Sequence, residues 1–248
     1  MKTVVVKMGG VASDNLNDAF FEKISSWQEQ GYQVIIVHGG GHYISTMMKT
    51  LGLEVEVKEG LRVTSDETLE ITRMVLLGQV QPMITTYFQQ AGFHALGLNA
   101  GCDQLIQGEV INEEQLGFVG QVTEVNHQLL QTLLTKKHIP VIAPLGITAA
   151  GQWLNINADE VAWKIAASLQ AEKLYLLTDV PGIKKESEWL KEISVTDIQQ
   201  LKTEKVVTGG MLPKLDSAQK ALMAGVKSVF ISNTIDSFGT EIKFATAG

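Results

Sequence analysis

The sequence predicts an α/β fold, a mostly parallel sheet held between helical layers. Three features predict it. Apolar runs that read as strands alternate with helically spaced apolar stripes through most of the chain. One run, residues 34–37 (Val-Ile-Ile-Val), is apolar without a break, as in a parallel strand covered on both faces. Several runs end in glycine-rich or polar turns that open a helix, and ligands of such sheets bind beyond the carboxyl ends of the strands.

The bulk numbers narrow the function classes. The chain has 248 residues and is 45% hydrophobic, enough for one large domain or two lobes. A net charge of −7 argues against a nucleic-acid or acidic-membrane footprint. The single cysteine, Cys102, excludes an internal disulfide and a cysteine-based zinc cluster. No apolar run approaches the roughly 20 residues of a membrane span. The first residues enter a strand with no small-residue cleavage site, so no signal peptide is expected and a cytoplasmic location is.

The first strand, Thr-Val-Val-Val-Lys7-Met, ends in Gly9 and Gly10. A lysine there either emerges into solvent or meets an anion. Asp14 is the expected cap of a helix with Leu16, Phe20, Ile24 and Trp27 on its core face, closed by Gly31. The second strand runs into His38 and the turn Gly39-Gly40-Gly41, before a helix over residues 42–51. Three glycines leave the backbone amides bare, and the helix aims its free N–H groups at the same spot, a place for a carboxylate or phosphate. His38 reads as structural, held under the turn.

Residues 55–63 alternate around Gly60 and read as a hairpin. Arg62 near its end is either a solvated charge or a bidentate clamp for a carboxylate. Thr64-Ser-Asp-Glu67 has the pattern of a capping box for a long helix reaching towards Ala91, kinked at Gly78 and Pro82. That helix is either core or a dimer face. A strand over residues 94–99 follows, then hairpins over 105–125 laid across an edge, a short helix over 128–137 and a strand over 139–146.

In residues 151–160 the polar groups Asn155, Asn157 and Asp159 alternate, and Asn157 or Asp159 opens a helix. The next strand, residues 173–178, ends in Thr178 and Asp179, followed by a Pro-Gly182 turn. Residues 184–190 read as a mobile surface turn, and 195–201 as a short helix. The turn Thr208-Gly209-Gly210 opens a helix to Ala224 with Pro213 in its first turn. Lys214 lies near the positive end of that helix, unfavourable unless an anion is present. Residues 228–232 form a last strand.

Two motifs are absent: the Gly-x4-Gly-Lys-Ser/Thr of a P-loop and the Gly-x-Gly-x-x-Gly of a dinucleotide fold. Amide-rich turns, two lysines and an aspartate are the parts that phosphoryl transfer needs, because its transition state spreads negative charge over oxygens.

In their order along the chain, Val-Lys7-Met-Gly-Gly10, Val-His38-Gly-Gly-Gly41, Gly60-Leu-Arg62-Val-Thr64, Gly117-Phe-Val-Gly-Gln-Val122, Asn155-Ile-Asn157-Ala-Asp159, Leu177-Thr-Asp179-Val-Pro-Gly182, Gly209-Gly-Met-Leu-Pro-Lys214 and Gly239-Thr-Glu-Ile242 resemble the amino acid kinase family. The match is to its branch that phosphorylates N-acetyl-L-glutamate. The resemblance implies a three-layer α/β/α, carbamate-kinase-like fold. It implies one domain over residues 1–248 with two lobes, 1–170 for the amino acid and dimerisation and 171–248 for ATP. It implies transfer of phosphate from ATP to the side-chain carboxylate, the second step of arginine biosynthesis, with Mg2+ held mainly through the ATP phosphates and no metal ligands of the protein's own. By position, Lys7 and Lys214 match the transition-state lysines and Asp159 the aspartate that orients them. Gly40, Gly41, Arg62 and Asn155 match substrate contacts, with Arg62 on the α-carboxylate. Gly9, Gly10 and Gly39 fall at the phosphate-binding turns, and Asp179, Gly182, Thr208 and Gly209 where the family contacts ATP.

Residues 99–104 and Gln81-Pro82 depart from the family pattern. Because the first strand opens the chain, a simple homodimer without arginine feedback is expected. Competing readings are a relative acting on a carrier-linked aminoadipate or glutamate, a uridylate, carbamate or aspartate kinase, and a catalytically silent ligand-binding protein on the same fold.

Overall fold

Strand β1 (Lys2–Met8) is buried from Thr3 onward, which its run of three valines demands. It is the first element of a computed structural model that describes residues 2–9, 16–204, 206–207 and 209–245. By contact the chain divides into two compact units, one of residues 1–35 with 162–248 and the other of residues 36–161.

In the first unit, β1 is followed by α1 (Asp18–Glu29), whose Phe20, Ile24 and Trp27 are buried as their spacing predicts. Its cap is Asn17, which accepts from the Phe20 N–H at 3.0 Å; Asp14, the expected cap, lies outside the described residues. Gly31 takes the left-handed conformation that turns the chain into β2 (Tyr32–His38), a strand whose end belongs to the second unit.

The second unit opens with α2 (Gly41–Thr50). Strands β3 (Val57–Lys58) and β4 (Leu61–Arg62) form the predicted hairpin, with both turn residues, Glu59 and Gly60, at positive φ. Helix α3 (Asp66–Val75) is capped one residue later than the sequence pattern suggests. Ser65 accepts from the Thr68 N–H, while the Thr64 hydroxyl donates to the Arg62 carbonyl. The predicted kink is a π turn over Leu76–Val80, after which α4 (Gln81–Gln90) begins. There follow β5 (Ala95–Leu98), β6 (Ile106–Val110), α5 (Glu113–Leu116), β7 (Val119–Val125), α6 (His127–Thr135), β8 (Ile139–Ile142), β9 (Leu145–Ile147) and β10 (Trp153–Ile156).

Within this unit β2, β8 and β5 pair in parallel. Strands β6 and β7 pair antiparallel, the hairpin expected within residues 105–125, and with β10 and β9 they close into a small barrel that was not expected. Glycines allow the closure: a Cβ at Gly120 would stand 2.6 Å from Leu154 Cδ1, and one at Gly146 2.5 Å from Ile156 Cδ1. Leu154 and Ile156 fill the interior instead.

Helix α7 (Ala158–Ser168) leads back to the first unit. It is followed by β11 (Lys173–Leu177), β12 (Lys184–Lys185), β13 (Glu188–Trp189), β14 (Glu192–Ser194), α8 (Ile198–Thr203), α9 (Met211–Met223), β15 (Ser228–Ser232) and β16 (Thr240–Lys243). The segment expected to be a mobile turn is the β12–β13 hairpin, with the Lys184 ammonium 5.5 Å from the Trp189 ring centroid. The strand order is β14-β16-β15-β11-β1-β2. The pairs β1–β11, β11–β15 and β14–β16 are parallel and β15–β16 is antiparallel.

Candidate active site

The turn Gly39-Gly40-Gly41 is set from below by His38. This ring is fully buried, and its Nδ1 donates to the Gly39 carbonyl at 2.9 Å. Burial pulls the imidazole down to about 4, against a smaller upward effect of that bond, so it is neutral at pH 7. The structural role expected for His38 is the one it has. Gly40 is the N-cap of α2 and supplies no side-chain cap, which leaves the first amides of the helix available to a ligand. A Cβ on Gly40 would come within 2.5 Å of Leu76 Cδ2. Close packing from the π turn thus requires glycine here.

Arg62 reaches this helix end from β4. Its Nη2 donates to the Gly41 carbonyl at 3.0 Å and to the Ser45 hydroxyl at 2.8 Å. The guanidinium is half-buried, and desolvation lowers its pKa without discharging it. The Ser45 hydroxyl also donates to the Gly41 carbonyl, so three groups fix one helical turn.

Asn155 stands on β10. Its Nδ2 donates to Thr64 Oγ1 at 3.0 Å, and Thr64 Oγ1 donates to the Arg62 carbonyl at 2.7 Å. Buried Thr64 therefore ties the candidate clamp to the candidate amide. Gly117 locks the same threonine. Phe118 N–H donates to the Thr64 carbonyl at 2.7 Å, and Thr64 N–H to the Leu116 carbonyl at 2.9 Å. Ser45 carries no signal in the sequence, and Thr64 stands only in the Gly-Leu-Arg-Val-Thr run and at the head of the capping-box pattern, neither of which points to this bridge.

Of the alternating triplet, Asn157 is the helix cap. It accepts from the Asp159 N–H at 2.8 Å, and its carbonyl takes the Val161 N–H. Asp159 is buried in the first turn of α7, and its neighbour Glu160 accepts from the Val122 N–H at 2.7 Å.

In the first unit, Lys7 is only 7% exposed near the carboxyl end of β1, so of the two readings of this lysine the solvated one fails. Its ammonium lies over Gly9, where a Cβ would stand 2.8 Å from Nζ. Asp179 and Gly182 share the turn after β11, Asp179 exposed and Gly182 buried. A Cβ at Gly182 would stand 2.6 Å from Thr240 Oγ1, which also accepts from the Ile183 N–H at 2.8 Å. Gly209 and Lys214 flank the start of α9, Gly209 at φ 58°. Gly10 and Thr208 lie outside the described residues. Gly39, Gly40, Gly41, Arg62 and Asn155 thus converge within the second unit, and Lys7 and Gly9 within the first.

Residues 2–233 match the model of the amino acid kinase family. An acetylglutamate kinase of Listeria monocytogenes serotype 4b (strain F2365) is 52% identical over 241 residues, 97% of this chain and 96% of that protein. The crystal structure of smu.665 from Streptococcus mutans UA159 has 35% identity and a TM-score of 0.92, over 98% of this chain and 99% of that one. Carbamate kinase from Giardia lamblia bound to AMP-PNP has a TM-score of 0.72 at 18% identity, over 98% of this chain and 99% of that one. The carbamate-kinase-like α/β fold expected from the motifs is the fold found, and this chain belongs to the amino acid kinase family.

Proposed function

We propose that this chain has acetylglutamate kinase activity. It moves the γ-phosphoryl group of ATP onto the side-chain carboxylate of N-acetyl-L-glutamate, giving N-acetyl-L-glutamyl 5-phosphate and ADP within arginine biosynthesis. The observation that carries the reading is the half-buried Arg62 fork seated on the first turn of α2, beside three glycines and joined to Asn155 through Thr64. A charged fork beside bare amides suits an amino-acid α-carboxylate. The 52% identity to an acetylglutamate kinase over 97% of the chain supports the same substrate.

The acceptor carboxylate is ionised at pH 7, so the reaction needs no general base. Its demands are alignment and neutral charge balance as negative charge spreads over the transferring group. In this reading Gly40, Gly41, Arg62 and Asn155 hold the amino acid. The amides of Gly9, Gly10 and Gly39 meet phosphate oxygens. Lys7 and Lys214 stabilise the transition state, and Asp159 orients the two lysines. Asp179, Gly182, Thr208 and Gly209 contact ATP. Mg2+ would come with the nucleotide, held through its phosphates, and would supply positive charge against the charge developing there. A donor set of lysines and backbone amides fits an anion that already carries its own cation. Residues 1–170 serve as the amino-acid and dimerisation lobe and residues 171–248 as the ATP lobe of a cytoplasmic homodimer.

The test is an ADP-release assay with ATP and Mg2+ on N-acetyl-L-glutamate, L-glutamate, L-aspartate and UMP in parallel. Turnover of N-acetyl-L-glutamate alone is expected. Turnover of none of the four would overturn the reading and favour a carrier-linked substrate or a silent binding protein.

A further inference from the structure

We infer that Gln81 is a positioning residue for the substrate turn, holding the π turn so that Leu76 and Val80 press on Gly40 and fix where the amino end of α2 meets the amino acid. The inference rests on reading Gly40 and Gly41 as substrate contacts.

Gln81 works at both ends. Its backbone N–H closes the π turn on the Leu76 carbonyl, the i-to-i+5 bond that defines such a turn. Its side chain is buried, and Nε2 donates to the Leu98 carbonyl at 2.7 Å and the Val141 carbonyl at 3.0 Å. Those carbonyls belong to β5 and β8. Val141 pairs directly with Ile36 of β2, two residues before His38. The glutamine therefore ties the π turn to the strand beside the one that delivers the glycine turn.

At the other side of the π turn stand the residues that touch Gly40. A Cβ on Gly40 would meet Leu76 Cδ2 at 2.5 Å and Val80 Cγ2 at 3.5 Å, and both side chains are almost wholly buried. Leu76 is thus bonded through its carbonyl to Gln81 and packed through its methyl against Gly40.

An amide is an expensive way to fill a buried space if filling is all it does. Here it is matched by a second residue that makes room for it. A Cβ on Gly97 would fall 2.9 Å from Gln81 Oε1 and 3.0 Å from Cδ. Glycine inside a strand weakens it, so β5 gives up stability to admit this side chain. A π turn also adds a residue to the helix, a distortion that recurs where helices serve a site.

The experiment measures KM for N-acetyl-L-glutamate and for ATP, kcat and thermal midpoint on the full chain and on Gln81→Met, Gly97→Ala and Arg62→Ala. Methionine keeps the volume and removes the two donors; alanine at 97 pushes the amide away from the other side. Both are expected to raise KM for N-acetyl-L-glutamate about tenfold and leave KM for ATP unchanged, because a displaced turn loses alignment to one substrate only. An unchanged KM for N-acetyl-L-glutamate, equal changes for both substrates, or loss of the folded state in both variants would overturn the inference. If Arg62→Ala also leaves that KM unchanged, the substrate reading itself fails; if Arg62→Ala raises it and neither of the others does, only the role of Gln81 fails.

Discussion

Nη2 of Arg62 donates to the carbonyl oxygen of Gly41 at 3.0 Å. A cation is thereby fixed at the amino end of a helix, where the dipole disfavours it and an anion relieves it. A guanidinium has five N–H groups in a planar fork. The anchoring bonds of Nη2 orient that fork without exhausting it.

Arg62→Ala is expected to raise KM for N-acetyl-L-glutamate by roughly 30-fold or more, the effect of about 2 kcal/mol for a truncated charge-assisted contact. KM for ATP stays as it was. Arg62→Lys recovers little, because a point charge on a flexible stem cannot serve Gly41, Ser45 and a carboxylate together. Initial rates across a grid of both substrates check this, and equal rises for the two substrates would count against the assignment.

Lys7→Ala and Lys214→Ala are each expected to lower kcat by about a hundredfold, the scale of losing one charge-stabilising group. Gly9→Ala reaches the same lysine from the backbone. Its methyl would stand 2.8 Å from Nζ of Lys7, and the end of that side chain moves more easily than the strand. The expected result is a smaller fall in kcat with an unchanged thermal midpoint. In the double variant with Lys7→Ala, Gly9→Ala adds nothing further, since its target is gone. Additive losses would show that Gly9 acts on something other than Lys7.

Several of the proposed residues were legible because their signals are local. A glycine run after a buried strand, an arginine at the end of a hairpin and a lysine near a strand's carboxyl end each follow from a few adjacent residues. The barrel was not legible, since β6 pairs with β9 about forty residues on and in parallel, a contact that no local pattern encodes. Strand β16 was missed for a related reason: four residues after a polar turn carry no periodic signal, and antiparallel pairing with β15 makes them a strand. Gln81 read as a departure from a family pattern, and only its two carbonyl partners reveal what it does.

His38 makes stability depend on pH. Its folded pKa is about 4, below the ordinary 6.5, because its ring is buried. Between those values the unfolded chain binds the extra proton, so stability is full above pH 6.5 and falls as pH drops towards 4. The gap corresponds to on the order of 3 kcal/mol. His38→Asn keeps a donor for the Gly39 carbonyl and removes the titration. Urea unfolding at pH 7.5, 6 and 5 is expected to give a shallower loss for His38→Asn than for the parent chain. Parallel slopes would show that carboxylates, not this ring, set the acid limit.

Gly117 and Gly60 both take positive φ, 64° and 80°, yet their alanine variants are expected to differ widely. At Gly60 a Cβ meets nothing within 4 Å. Gly60→Ala therefore bears only the left-handed backbone penalty, about 1 kcal/mol. At Gly117 the Cβ would stand 2.1 Å from the Thr64 carbonyl oxygen, the atom that accepts from the Phe118 N–H. The bridge between the two segments has to open, which puts Gly117→Ala in the range of about 4 kcal/mol or beyond. Because Thr64 also holds the Arg62 carbonyl and Asn155, Gly117→Ala is expected to raise KM for N-acetyl-L-glutamate in whatever fraction remains folded, while Gly60→Ala leaves it alone. Urea midpoints together with KM for both variants test this, and a Gly117→Ala enzyme that is destabilised but binds N-acetyl-L-glutamate normally would show that the Thr64 bridge supports the fold without setting the site.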